Sequence, residues 1–272
     1  MDESTPLVRT RRLTHIYVQK QPLSNRQFTV KALDAVELSI REGTQLGLVG
    51  ESGSGKSTLG LCLALLQRPT AGEIWFDGKE VSRSHGAELR QLRSQIQFVF
   101  QETFSALNPR LCAEEIVTEP MLIQGKSSPA ARRDRAVTLM HEVGLAADSL
   151  RRRPHEFSGG QRQRLAIARA LVMRPQFVVL DEAFTGLDLS VQAQIVVLLN
   201  SLQAAHKLTY LFITHDLNLA AAICNRIAIL HRGCIVEQGS PADLFNRSQH
   251  PQTRALVDAI PGRNTILHTS LG

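Results

Sequence analysis

Aromatic side chains are scarce: two Tyr, one Trp and ten Phe in 272 residues. A stacking platform for single-stranded bases is therefore thin. No stretch approaches the roughly 20 apolar residues of a membrane-spanning helix. The longest apolar run, Leu59 to Leu66, makes only about two helical turns. Cysteine is rare too, and Cys62, Cys112, Cys224 and Cys234 show neither metal-ligand spacing nor a disulfide pattern. That usage predicts reduced thiols in a cytosolic chain. The opening MDESTPLV is acidic and lacks the apolar core of a secretory signal. Repeats, low-complexity tracts and an obvious interdomain linker are also missing.

What is present suits a globular protein. Apolar residues make up 43% and charged residues 21%, too apolar a balance for a disordered chain. The length suffices to bury a core without disulfide or metal staples. Basic residues outnumber acidic ones by 31 to 25, a net +6 with a pI near 9.5. Such a charge suits nucleic acid, an anionic membrane face or an anionic small molecule. The excess sits in short runs at Arg9, Arg11 and Arg12, at Arg132, Arg133 and Arg135, and at Arg151 to Arg153. Each run alone reads as a solvated face. Scattered runs without interleaved aromatics argue against a nucleic-acid-binding module.

The alternation ending in Val36, Leu38 and Ile40 predicts a half-buried strand over 29–40. QLGLV at 45–49 reads as a buried strand, 56–67 as a helix, and 73–76 and 95–100 as strands, with a turn at Asp77-Gly78. Residues 111–150 turn helical, with breakers at Pro120, Pro129 and Gly144. Alternation resumes with helices at 160–173, 190–205 and 217–223 and strands at 177–180, 208–214, 226–231 and 234–238. This pattern predicts an α/β sheet with buried parallel strands and a helical insertion.

Gly50-Glu51-Ser52-Gly53-Ser54-Gly55-Lys56-Ser57 fits G-x-x-x-x-G-K-[ST] between an apolar strand and a helix. Glycines let the backbone curl so that N–H groups point at phosphate oxygens, and the helix adds its positive end. Lys56 can reach β- and γ-phosphates, and the Ser57 hydroxyl can ligate Mg²⁺. The bland reading is a Gly/Ser-rich loop with a chance lysine. Phe177 to Glu182 supplies a metal-side partner: a buried strand delivering two carboxylates at its C-terminal end. Asp181 is placed to hold Mg²⁺ and Glu182 to polarise a water. Ser158-Gly159-Gly160-Gln161 opens a helix, and reads equally as a second anion site or as a plain cap.

With these residues in view, the sequence resembles the nucleotide-binding subunit of ABC transporters over residues 7–260. The family's marks occur in order: the phosphate loop at 50–58, the Q-loop glutamine Gln101, the signature Ser158 to Gln161, Asp181-Glu182, the D-loop Asp188 and the switch histidine His215. The resemblance implies a P-loop NTPase (RecA-like) α/β core with an antiparallel β subdomain and an inserted α-helical subdomain. The core would take 7–100 and 160–238, the helical subdomain 101–159 and a C-terminal tail 239–272. It implies a head-to-tail dimer with ATP between the phosphate loop of one subunit and the signature of the other. Ser158 and Gly160 then act in trans on the γ-phosphate, Thr58 touches the α-phosphate, Gln101 senses Mg²⁺ and water, and His215 contacts the γ-phosphate. Tyr17 fits the aromatic that stacks on adenine, with Phe28 as a rival. Taken alone, Gln101 is a polar residue after a strand and His215 a strand-end histidine.

Three segments, 100–110, 154–171 and 250–261, are similar to the peptide/nickel importer branch. They imply two membrane permeases, a second ATP-binding subunit (a sister protein or a second copy), an extracytoplasmic solute-binding protein and a place on the cytoplasmic face of the inner membrane. Nucleic acid is not expected as a partner. There are departures: Ala183 replaces the usual proline, and Thr185-Gly186 the usual small pair before Leu187-Asp188. No cysteine follows Cys234, so the cluster carried by some branch members is not expected. Ala183 and the short tail lean the cargo toward nickel or a metal chelate over short peptides. A DNA-maintenance ATPase with the same headpiece is the alternative. It would need long heptad coiled coil where about a hundred residues intervene here.

Overall fold

The computed structural model describes residues 5–20, 27–101, 103–125 and 127–260. The elements run β1(Val8–Lys20), β2(Gln27–Ile40), β3(Gln45–Val49), α1(Lys56–Leu63), β4(Ala71–Phe76), β5(Lys79–Glu80), α2(Gly86–Gln95), β6(Ile96–Val99), α3(Thr103–Ala106), α4(Ala113–Gln124) and α5(Pro129–Glu142). Two short 3₁₀ turns follow, then α6(Gly159–Leu171), β7(Phe177–Asp181), α7(Leu189–His206), β8(Thr209–Thr214), α8(Leu217–Ile223), β9(Arg226–His231), β10(Cys234–Gly239), α9(Pro241–Arg247) and α10(Pro251–Asp258). The chain forms two compact units, 1–83 with 211–272, and 84–210.

In the first unit β2, β1, β4 and β5 form an antiparallel sheet in that order. β1 and β2 pair from Val8↔Ile40 to Lys20↔Gln27, with register shifts between Thr10 and Ile16. Leu13, Leu33, Val36, Leu38 and Ile40 are buried along this pair. β3 runs parallel to β9, from Leu46↔Arg226 to Val49↔Ile229, and β10 closes antiparallel on β9. All five residues of β3 are buried, the continuous apolar run of a parallel strand covered on both faces. A Cβ at Gly47 would sit 3.2 Å from the Ala220 Cβ, so glycine lets α8 lie close on β3.

In the second unit β6 runs parallel to β7, from Ile96↔Phe177 to Val99↔Leu180. The helices α4, α5 and α6 pack on one another through Ile116, Val117, Leu139, Met140 and Leu165, each fully buried. Burying one such side chain contributes about 1.5–3 kcal/mol. Arg169 on α6 donates to Glu119 on α4 (2.8 Å), and Arg164 to the Val143 carbonyl (2.8 Å).

The α/β reading therefore holds, with local corrections. Pro120 does not break the helix: it lies inside α4. Its ring forfeits the hydrogen bond to the carbonyl four residues back, while buried Ala113, Ile116 and Val117 anchor the helix. The expected helix over 56–67 stops at Leu63, because Leu65 takes φ 57° and Leu66 N turns back to Leu61 O (2.9 Å). β1, α2, α9 and α10 were not anticipated. Residues 261–272 of the expected tail lie outside the described residues.

Candidate functional site

The first unit builds the phosphate loop at the C-terminal end of β3. Gly55 takes φ 106° as the residue before α1, and a Cβ there would lie 2.3 Å from the Ala32 carbonyl oxygen. A Cβ at Gly50 would lie 2.2 Å from the Leu230 carbonyl oxygen. Both positions need glycine because the loop is wedged against the middle of β2 and the end of β9. Gly53 (φ 78°) has open space where a Cβ would stand. The loop is tied down by Ser54 N to Glu51 O (3.2 Å) and Gly233 N to Ser54 O (2.9 Å).

Lys56 is buried, and its ammonium donates to the carbonyls of Gly50 and Glu51, each at 2.8 Å. The cation is thus fixed over the curl of the loop. Ser54 Oγ is buried without a hydrogen-bond partner among the described residues. An unpartnered hydroxyl and a fixed ammonium in one glycine-rich loop, at a helix start carrying no acidic residue, fit a phosphate group. Ser57 is exposed on the first turn of α1, and its hydroxyl is an oxygen donor of the type magnesium takes.

Tyr17, half-buried on β1, places its hydroxyl 3.3 Å from Thr58 Oγ1 and packs edge-on against His15 with centroids 4.5 Å apart. The structure thus brings Tyr17 to the phosphate-loop helix. Phe28 is 48% exposed on β2. His215 is exposed directly after β8, and Asp216 caps α8 by accepting from Asn218 N (2.8 Å) and Leu219 N (3.1 Å). Sequence reasoning missed Gln252 on α10, whose amide donates to Glu51 Oε1 (2.9 Å); nothing in the sequence pattern linked the two.

The second unit gathers the remaining residues. The β6–β7 register sets Val99 beside Leu180, so the residues just beyond both strands emerge at one edge. Gln101 Nε2 accordingly donates to Glu182 Oε2 (2.9 Å). Asp181 is buried at the end of β7. Glu182 takes φ 45°, a left-handed value uncommon for a residue with a Cβ, inside a turn closed by Thr185 N to Glu182 O (3.0 Å). Thr185 Oγ1 also donates to Glu182 Oε2 (3.3 Å). The unusual Thr185 thereby gives the carboxylate a second donor, and Gly186 supplies the φ of 77° that the turn needs.

Ser158 caps α6 reciprocally: Gln161 N donates to Ser158 Oγ (3.3 Å), and Ser158 N to Gln161 Oε1 (3.0 Å). The Ser158 hydroxyl proton is not consumed by that arrangement. A Cβ at Gly160 would lie 2.6 Å from Val191 Cγ1, and one at Gly159 would lie 3.5 Å from Leu187 Cδ2. Val191 N in turn donates to Asp188 Oδ1 (2.9 Å), the cap of α7. The signature and Asp188 are thus packed together, and Gly160 has a structural duty of its own.

All four cysteines are free thiols. Burial pushes the Cys62 thiol up to about 12 and raises that of Cys224, which leaves both unreactive.

The sequence model of the ABC transporter family matches residues 33–185. A putative peptide import ATP-binding protein of Brucella ovis is 47% identical over 257 residues, covering 94% of this chain and 79% of that protein. A dipeptide transport ATP-binding protein of Lactococcus lactis is 47% identical over 239 residues, covering 87% and 77%. Among solved structures, a dimeric ATP-binding cassette in a post-hydrolysis state with ADP and Pi superposes with a TM-score of 0.75. It is 33% identical and covers 86% of this chain and 98% of that one.

Proposed function

The chain belongs to the ABC transporter family, and from that premise we propose that it is the ATP-hydrolysing subunit of a short-peptide importer. The observation that carries the reading is the phosphate loop, with buried Lys56 fixed over its curl and the Ser54 hydroxyl left without a partner. Residues 50–58 bind the triphosphate, Lys56 meeting the β- and γ-phosphates and Thr58 the α-phosphate. Ser57 and Asp181 hold magnesium, with Gln101 as its sensor. The ion, when bound, neutralises charge on the phosphates. Glu182 polarises the attacking water, and Gln101 and Thr185 keep its carboxylate in place. His215 contacts the γ-phosphate. Ser158, Gly159, Gly160 and Gln161 serve the nucleotide of a second ATP-binding subunit, and Asp188 positions that surface.

Tyr17 stacks on adenine. Replacing it with alanine is expected to weaken ATP binding several-fold, since a base–aromatic stack is worth roughly 1–3 kcal/mol. Tyr17→Phe retains the ring face and the affinity. Calorimetric titration of both variants and of Phe28→Ala checks this; loss with Phe28→Ala alone moves the contact to Phe28.

The partners follow from the importer reading: two permeases, a solute-binding protein and a second ATP-binding subunit, at the cytoplasmic membrane face. No helix among the described residues is long and apolar enough to cross a membrane. Exposed Phe100, Leu122 and Ile123 offer apolar surface for a partner. Both relatives carry peptide names, which supports peptide over nickel; nothing favours the nucleic-acid alternative. Deleting the chain's gene is expected to abolish uptake of a labelled dipeptide and leave nickel-63 uptake unchanged. Loss of nickel uptake with dipeptide uptake intact would overturn the cargo.

A further inference from the structure

Arg9, Arg41 and Arg226 surround a cavity of about 340 Å³ within the unit formed by 1–83 and 211–272. Arg9 lies on β1 opposite Ser39 of β2, Arg41 follows β2, and Arg226 opens β9 opposite Leu46 of β3. The cavity is therefore at the N-terminal end of β3, whereas the phosphate loop leaves its C-terminal end. The strand's five residues separate the two by roughly 15 Å. None of the three arginines belongs to the nucleotide site.

Among the described residues none of the three has a carboxylate partner, and no acidic side chain lines the cavity. Nearby Arg11 behaves differently: it faces Glu73 at 3.9 Å and lies 5.3 Å over the Trp75 ring. A guanidinium stays charged at any ordinary pH, so three around one hollow favour an anion. The Ser39 and Thr44 hydroxyls and the Gln238 amide add neutral donors, and Ile40 and Leu46 give an apolar wall. A carboxylate offers one charge and two oxygens to these donors. A phosphate monoester offers nearly two charges and three strong acceptor oxygens, which guanidinium forks meet in pairs. The volume is at the small end of ligand sites, room for a phosphate with a body of a few carbons.

We propose that this cavity is a second anion site, distinct from the phosphate loop, that takes a small phosphate monoester. The same chemistry could arrive free or as the headgroup of a membrane lipid, and the test separates the two. The full-length chain is first saturated with a non-hydrolysable ATP analogue and magnesium, which occupies the phosphate loop. Glycerol 3-phosphate is then titrated calorimetrically. One site per chain is expected. Affinity should fall about tenfold or more for each guanidinium removed in Arg41→Gln and in Arg226→Gln. Affinity for the ATP analogue, measured on the same variants, should not change and reports that they are folded. Arg9→Gln is read in parallel and is also expected to weaken the ester; all three arginines are exposed, so none of the substitutions disturbs the core. Absence of a second site in the wild type, or undiminished affinity in all three variants, would overturn the proposal. A third arm tests cosedimentation with phosphatidylcholine vesicles with and without phosphatidic acid. Arginine-dependent capture by the acidic vesicles without glycerol 3-phosphate binding would assign the site to lipid and overturn the small-ester reading.

Discussion

Lys56→Ala is expected to abolish measurable ATP turnover and to weaken ATP binding by about ten- to a hundredfold, the size of a lost charged hydrogen bond of roughly 1.5–3 kcal/mol. Lys56 is 5% exposed and its ammonium is anchored by two carbonyls of its own loop at 2.8 Å, so it is in place before any phosphate arrives. It is the only cationic side chain among residues 50–58. Backbone N–H groups still greet the phosphates in the variant, so some affinity survives, but the β- and γ-oxygens lose their fixed positive charge. Removing the lysine also strips a donor from the Gly50 and Glu51 carbonyls. Thermal melting beside the titration separates a loosened loop from a lost ligand contact. Unchanged ATP affinity in the folded variant would contradict the assignment.

Glu182→Gln should keep ATP binding and lower turnover by roughly 10²–10⁴, the usual contribution of a general base. The amide has the carboxylate's shape, and its oxygen can still accept from Gln101 and Thr185, which lie 2.9 Å and 3.3 Å from Oε2 in the native protein. The left-handed turn at φ 45° is a backbone feature and survives the change. What is lost is the base. Taking a negative charge from beside the γ-phosphate also relieves repulsion, so the variant should accumulate as an ATP-bound dimer with its partner ATPase. Gel filtration with and without ATP reads the dimer, and phosphate release reads the rate. Ser158→Arg in this chain should also abolish the dimer, because a bulky side chain fills the phosphate site that its signature offers in trans.

Much of this was legible from sequence where chemistry and local geometry coincide. QLGLV was bounded correctly because a buried parallel strand is a continuous apolar run ended by glycine. The same holds for α8, where Asp216 announces its cap, and the strand expected at 177–180 runs one residue further, through Asp181. β1 was missed because register shifts at Thr10, Leu13 and His15 destroy its alternation, and its arginines read as a solvated run. α2 was missed because none of its residues is buried, so no apolar stripe marks it. The Gln101–Glu182 contact spans 81 residues and depends on the β6–β7 register, which no local pattern encodes. The packing of Gly160 on Val191 was invisible for the same reason. The charge of Arg9 was visible, but not that the fold sets it around one cavity with Arg41 and Arg226.

That this chain binds ATP through its phosphate loop and cleaves it with Glu182 can be read from the nucleotide each variant retains. Wild-type, Lys56→Ala and Glu182→Gln chains are incubated with the partner ATPase, magnesium and ATP labelled on the α-phosphate, passed through a desalting column and analysed by thin-layer chromatography. ADP is expected on the wild type, little nucleotide on Lys56→Ala and intact ATP on Glu182→Gln. Equal retention by Lys56→Ala, or ADP on Glu182→Gln formed at the wild-type rate, would contradict it.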